Sequence, residues 1–269
     1  MLMVISPAKA LNFEPPPVAA PLTQPALKSD LAVLAALARK LSVRQLKGLM
    51  GISDQLAALN RERFQAFDPD AEDGLQAAYA FNGDVYLGLR ARELTPEALA
   101  WANDRLRILS GLYGLLRPTD AIQPYRLEMG SAVRTARGKS LYAFWGPRIA
   151  RALNEAAVGH ANPTLVNLAS QEYFGAVSRK ALKIPLITCH LREEKDGMMR
   201  TLSFYAKRAR GMMARYAIDH RIDKAADLKG FDSEGYRFQP QASSETEWVF
   251  SRPQPPPISV QRALARAQA

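Results

Sequence analysis

Short apolar runs and amphipathic helical stretches alternate along this chain without a regular strand–helix–strand period, and no other feature limits its fold as much. Met1 to Ser6 (MLMVIS) and Thr164 to Leu168 (TLVNL) read as buried strands, with Leu106 to Leu109 as another. Pro185 to Leu191 and Met199 to Phe204 make a hairpin pattern around the turn-rich segment from Glu193 to Gly197. Tyr236 to Phe238 with Glu247 to Phe250 make a final hairpin. Periodicity predicts helices over 27–40, 43–50, 53–66, around 72–80, 95–105, 144–158 and 207–221. Phe81-Asn82-Gly83-Asp84 reads as a turn into Val85-Tyr86-Leu87. No internal repeat and no long Pro/Gly/Ser linker interrupts the interior. The expectation is an α+β (mixed α/β) fold rather than a doubly wound sheet: a single compact domain with a central mixed sheet and surrounding helices. From Pro253 onward, PQPPPISVQRALARAQA reads as a proline-rich mobile tail, 253–269.

Composition narrows the chemistry. With 269 residues, 48% of them hydrophobic, the chain can bury a substantial core without disulfides or structural metal. The single cysteine, Cys189, excludes an internal disulfide and a Cys-rich zinc site, and it reads as a small buried hydrophobe. No charged-then-apolar leader opens the chain and no 18-residue apolar run occurs, so the expected location is cytoplasmic, with no membrane partner. The formal charge of +10 favours a polyanion: nucleic acid or a phosphorylated small molecule before an anionic membrane, because no long basic amphipathic helix adjoins a lipid anchor.

Residues 41–64 (LSVRQLKGLMGISDQLAALNRERF) carry the sharpest functional signal. Two amphipathic segments meet at Gly51-Ile52-Ser53. Leu46, Leu49 and Met50 recur before the turn, and Leu56, Leu59 and Phe64 after it. Gly51 suits the left-handed exit of a helix, and Ser53 suits the cap of the next, with Asp54 in its first turn. The pattern resembles the hairpin of helix-hairpin-helix DNA-binding modules, in which outward main-chain N–H groups hold a phosphate oxygen. Lys47, Gly51, Ile52, Ser53, Gln55, Arg61 and Arg63 are the candidate DNA contacts, indifferent to base sequence. An ordinary αα-hairpin packed on a core is the alternative.

Elsewhere the signals are weaker. Lys207, Arg210 and Arg215 can approach one another on the basic helix, as phosphate ligands or as a solvated face. Arg117, Arg126, Arg134, Arg137 and Lys139 interleave with Tyr113, Tyr125 and Tyr142, a cluster suited to unpaired bases or, more commonly, to a core. Neither a Walker A sequence nor a Gly-x-Gly-x-x-Gly follows a strand, so no nucleotide cofactor is expected. His160, His190 and His220 share no ligand spacing. His190-x-x-Glu193 and Asp219-His220 are at best partial metal sites, so none is expected. Ser6-Pro7-Ala8-Lys9 and Asn167-Leu168-Ala169-Ser170 each follow a strand, where catalytic groups often gather. Ser170 could simply cap a helix, with Glu172 in its first turn. Alternatively Ser6, Lys9, Arg126, Glu128, Asn167, Ser170, Lys207 and Arg210 converge on one anion pocket, with a lysine of lowered proton affinity as base or nucleophile. The sequence assigns no catalytic residue.

Six ordered motifs add a family likeness. They are Ile5-Ser6-Pro7-Ala8-Lys9, Phe81-x-Gly83-Asp84-Val85-Tyr86-x-Gly88-Leu89, Leu109-Ser110-Gly111-Leu112-Tyr113-Gly114-x-Leu116-Arg117-Pro118, Pro124-Tyr125-Arg126-Leu127-Glu128-Met129-Gly130, Asn167-Leu168-Ala169-Ser170-x-Glu172-Tyr173 and Ser203-Phe204-Tyr205-Ala206-Lys207-x-Ala209-Arg210-Gly211. Together they resemble the bacterial YaaA family of peroxide-stress-resistance proteins over residues 1–252. The resemblance implies a cytoplasmic protein induced by hydrogen peroxide that limits unincorporated iron and oxidative DNA damage. It also implies a distinctive α/β fold with a helix-hairpin-helix element, here at about 43–60, that binds double-stranded or branched DNA. It implies no reaction. An enzyme acting on a phosphorylated or carboxylated small molecule, or on a damaged nucleotide, is the competing expectation.

Overall fold

Eight strands build the central sheet: β1 (Leu2–Ile5), β2 (Leu106–Ser110), β3 (Gly114–Leu116), β4 (Leu165–Leu168), β5 (Leu186–Lys195), β6 (Met198–Arg200), β7 (Arg237–Phe238) and β8 (Glu247–Pro253). Their order is β7-β8-β5-β4-β1-β2-β3, with β6 folded back on β5. The five central strands, β8 to β2 in that order, run parallel. Antiparallel β3, β6 and β7 make the sheet mixed, as expected. Parallel strands are covered on both faces, so they read as unbroken apolar runs. Every residue of Leu2–Ile5 is 0% exposed. This computed structural model describes residues 1–16 and 21–256; the expected tail beyond Pro256 lies outside the described residues.

Among the described residues ten α-helices accompany the sheet: α1 (Lys28–Lys40), α2 (Val43–Met50), α3 (Asp54–Ala66), α4 (Ala77–Ala80), α5 (Asp84–Leu89), α6 (Pro96–Arg105), α7 (Leu141–Trp145), α8 (Arg148–Ala156), α9 (Gln171–Phe174) and α10 (Ser203–Asp219). The mixed α/β architecture and the long helices follow the sequence closely. Four details differ. The helix expected over 144–158 is two, because Gly146 adopts φ 48° and Pro147 follows it. The stretch 72–80 holds a short strand, Leu75–Gln76, before α4. The turn expected over 81–84 instead holds a short strand, Phe81–Asn82, and the first residue of α5. The second arm of the first hairpin stops at Arg200, and Ser203 already opens α10.

Helix α10 packs on β1, β4 and β5 and lies along α5. The α5–α10 contact is backbone to backbone. A Cβ on Gly211 would sit 1.8 Å from the Val85 carbonyl oxygen, and one on Gly88 would sit 2.1 Å from that of Arg208. Two glycines, one in each of two motifs, therefore set how near α10 comes to α5. Among the described residues, no helix is long and apolar enough to cross a membrane.

Candidate functional site

The hairpin forms where its local chemistry places it. Ser42 and Gln45 make a reciprocal capping box at the start of α2. Gly51 ends α2 in the left-handed region (φ 60°, ψ 42°), its N–H donating to the Lys47 carbonyl at 2.9 Å. Ser53 caps α3, its Oγ accepting from the Leu56 N–H. The inward face of α3 is Ala57, Asn60 and Phe64, while Leu56 and Leu59 stay part-exposed at 38% each, contrary to the apolar stripe expected. Ile52 turns inward and anchors the bend; Gly51, Ser53 and Gln55 face solvent. The N–H groups of Ser53, Asp54 and Gln55 meet no acceptor among the described residues.

The cations around this turn differ in availability. Lys47 reaches across it to Asp54, with Nζ 2.8 Å from the carboxylate. Arg44, which the sequence reading passed over, lies exposed one turn before Lys47 on α2. Arg61 donates to the Arg39 carbonyl at 2.8 Å, which ties α3 to α1. Arg63 is part-buried, and that desolvation pulls its proton affinity down.

A second feature lies at the carboxyl ends of β1 and β4. In their parallel register Val4 stands opposite Asn167 and Ile5 opposite Leu168, so the chain leaves both strands on the same side. A cavity of about 1170 Å³ opens there. Ser6, Lys9, Asn167, Ser170, Lys207 and Arg210, six of the eight residues expected at one pocket, line it. Arg126 and Glu128 stand behind Lys9: its Nζ is 2.7 Å from Glu128, which Arg126 also holds at 2.9 Å. Burial opposes the charge on Glu128, but hydrogen bonds and positive charge from Lys9 and Arg126 outweigh it and hold the carboxyl below its ordinary range. Sequence reading missed Asp84, Arg179, His190 and Glu247 in the lining. Asp84 lies in a quoted motif and His190 in the His190-x-x-Glu193 spacing, but neither pattern places them here, because strands β5 and β8 and the start of α5 meet only through the fold.

The hydroxyls are occupied. Ser6 Oγ donates to Ser170 Oγ (3.3 Å) and accepts from the Ser170 N–H (2.9 Å), while Ser170 also caps α9. These bonds tie the end of β1 to the end of β4. Neither hydroxyl has a general base as partner, and Lys9 is exposed and ion-paired, so the activated-nucleophile expectation lacks its geometry. Cys189 is 3% exposed, and burial raises its thiol far above the ordinary value. A thiol held protonated is a poor nucleophile toward peroxide.

Other expectations resolve as structure. Arg215 pairs with Asp219 and donates to the Arg90 carbonyl, away from Lys207 and Arg210. Tyr113 and Tyr125 are core residues in edge-on contact, and Arg117 and Arg137 pair with Asp120 and Asp30. His190 meets Glu247, while Glu193, three residues on, points to the other face of β5. His220 bonds the Tyr216 carbonyl, apart from Asp219.

Comparison with known proteins agrees with the fold-wide match of motifs. A family model described as peroxide stress protein YaaA matches residues 1–242. A UPF0246 protein of Phenylobacterium zucineum (strain HLK1) is 65% identical over 262 residues, 97% of this chain and 98% of that one. One from Caulobacter vibrioides (strain NA1000 / CB15N) is 66% identical over 255 residues, 95% and 100% of the two chains. One from Azoarcus sp. (strain BH72) is 53% identical over 261 residues, 94% and 100%.

Proposed function

This chain belongs to the peroxide stress protein YaaA family, and from that premise we propose that it protects the cell by gripping the phosphate backbone of DNA through the α2–α3 hairpin. The DNA is double-stranded or branched, held without strong base preference in the cytoplasm, and its protection limits iron-dependent oxidative damage. The observation that supports this reading is the solvent-facing bend at Gly51–Ser53, with the N–H groups of Ser53, Asp54 and Gln55 free of internal acceptors. They open a 13-residue helix, whose dipole favours an anion at that end. A phosphate seated there competes with Asp54 for the Lys47 ammonium and comes within reach of Arg44.

The test is duplex binding by fluorescence anisotropy at low salt with an Arg44→Glu, Lys47→Glu double variant. Both side chains are exposed, so the fold stays intact; Arg61 is left alone because it ties α3 to α1, and Arg63 because it is part-buried. Affinity should fall about tenfold or more on every duplex sequence, as expected for lost phosphate contacts. Unchanged affinity in a variant with native circular dichroism rules the hairpin out as the grip. The competing reading, an enzyme on a phosphorylated or carboxylated small molecule or a damaged nucleotide, has the cavity in its favour but no activated nucleophile among the described residues.

A further inference from the structure

We infer that the cavity at the carboxyl ends of β1 and β4 binds a phosphomonoester of nucleotide size, with Arg210 and Lys207 holding the phosphate. The inference goes beyond the hairpin reading and is independent of it, since no residue of α2 or α3 lines the cavity.

Arg210 carries the argument furthest. Its two neighbouring arginines on α10 are neutralised, Arg208 by Glu234 and Arg215 by Asp219. Arg210 has no carboxylate partner among the described residues, and its Nε is buried with no hydrogen-bond acceptor. Burial alone depresses its proton affinity, with no anion to offset the loss. A part-buried guanidinium whose buried Nε is left unpaired is costly, and an anionic ligand lessens that cost. Lys207 stands three residues earlier, one turn along the same face, and lines the same cavity without a carboxylate partner among the described residues. A planar fork beside a mobile ammonium suits a dianionic phosphate: the fork fixes its orientation, and the point charge answers its second negative charge.

The rest of the cavity limits what the phosphate is attached to. At about 1170 Å³ it exceeds the roughly 300–1,000 Å³ of common ligand pockets, far more than inorganic phosphate needs. Asp84, at the start of α5, also lines it and has no cation partner among the described residues, so it accepts from hydroxyl or amino donors and repels a second phosphate. Asn82 and Asn167 add polar groups, and the half-buried Tyr173 adds an aromatic wall. One phosphate, a hydroxylated body and a flat apolar part together describe a nucleotide. The same chemistry is presented by a free mononucleotide and by the 5′-phosphorylated end of a strand.

Isothermal titration of the full chain separates these. The probes are deoxyadenosine 5′-monophosphate, deoxyadenosine, and one single-stranded oligonucleotide with and without its 5′-phosphate. The proteins are wild type, Lys207→Ala and Arg210→Lys. Lys207 is exposed, so its variant keeps the fold, and Arg210→Lys keeps the charge while losing the fork. The expected result is monophosphate binding that weakens about tenfold or more in each variant, the loss typical of one charge-assisted contact, with no binding of the nucleoside. Binding only of the phosphorylated oligonucleotide, with the same losses, also supports the site and assigns it to strand ends. Equal binding of nucleoside and monophosphate, equal binding of the two oligonucleotides, wild-type affinity in both variants, or no binding of any probe overturns it. The Arg44→Glu, Lys47→Glu protein should bind the monophosphate normally, so failure of the hairpin reading leaves this one standing.

Discussion

Glu193 shows how far a single residue's role depends on partners that arrive from elsewhere in the chain. It is 1% exposed on β5, where the Tyr236 hydroxyl donates to its carboxylate and the Leu202 N–H approaches the other oxygen. Arg252, itself 5% exposed, lies 3.7 Å from it, pairs with Glu234 at 2.7 Å, and stacks over the Tyr236 ring. Read locally, Glu193 belongs to a turn-rich run, and its spacing from His190 suggests half a metal site. The strand's two-residue alternation instead sends the two side chains to opposite faces. Glu193→Ala leaves Arg252 without its buried partner and the Tyr236 hydroxyl without an acceptor, so urea denaturation should show a loss of about 3–5 kcal/mol. Glu193→Gln retains a hydrogen-bond acceptor and should lose clearly less. Equal losses in the two variants would mean that the carboxylate charge, which both remove, holds this corner together, and that the retained acceptor and side-chain volume add nothing.

At the scale of elements, legibility divides by the range of the forces involved. The hairpin was readable to within a residue, because capping by Ser42 and Ser53 and the left-handed Gly51 are decided by neighbours in sequence. Helix α5 was not. Six residues cannot hold a helix alone, and Val85-Tyr86-Leu87 takes helical form against α10, more than 100 positions later. The two glycines at that contact were present in the quoted motifs, but only the fold explains them. Gly211→Ala forces a Cβ against the Val85 carbonyl, where no side-chain rearrangement can relieve it. Overpacking of this kind costs typically ~1–3 kcal/mol, and a clash with main chain belongs at or above the upper end. Thermal denaturation should register the loss. Because α10 carries Lys207 and Arg210, the wall of the cavity moves with it. A Gly211→Ala protein as stable as wild type would show that α5 and α10 are loosely seated.

Over the whole molecule, what the sequence withheld was which strand edges meet. Each central strand was visible as an apolar run, yet β1 pairs with β4 some 160 positions away, and that pairing puts Ser6 beside Ser170. Charge behaves similarly. The sum of +10 is plain from composition, but the fold spends much of its arginine on internal ion pairs with Asp30, Asp120, Glu234 and Asp219. Only cations free to meet phosphate release counterions on binding DNA. The hairpin offers Arg44 and Lys47, with the exposed Lys40 at the end of α1 just before it, together with neutral N–H donors that contribute nothing to salt dependence. With Z near 3, a plot of log affinity against log salt concentration should fall with a slope of roughly −3, whereas the entire net charge acting together would give roughly −9. The Arg44→Glu, Lys47→Glu variant should flatten that slope by about 2, one for each lost phosphate contact. A wild-type slope close to −9, or a slope that the double variant leaves alone, would mean that DNA is held by a diffuse basic surface and that the bend between α2 and α3 is ordinary helix packing.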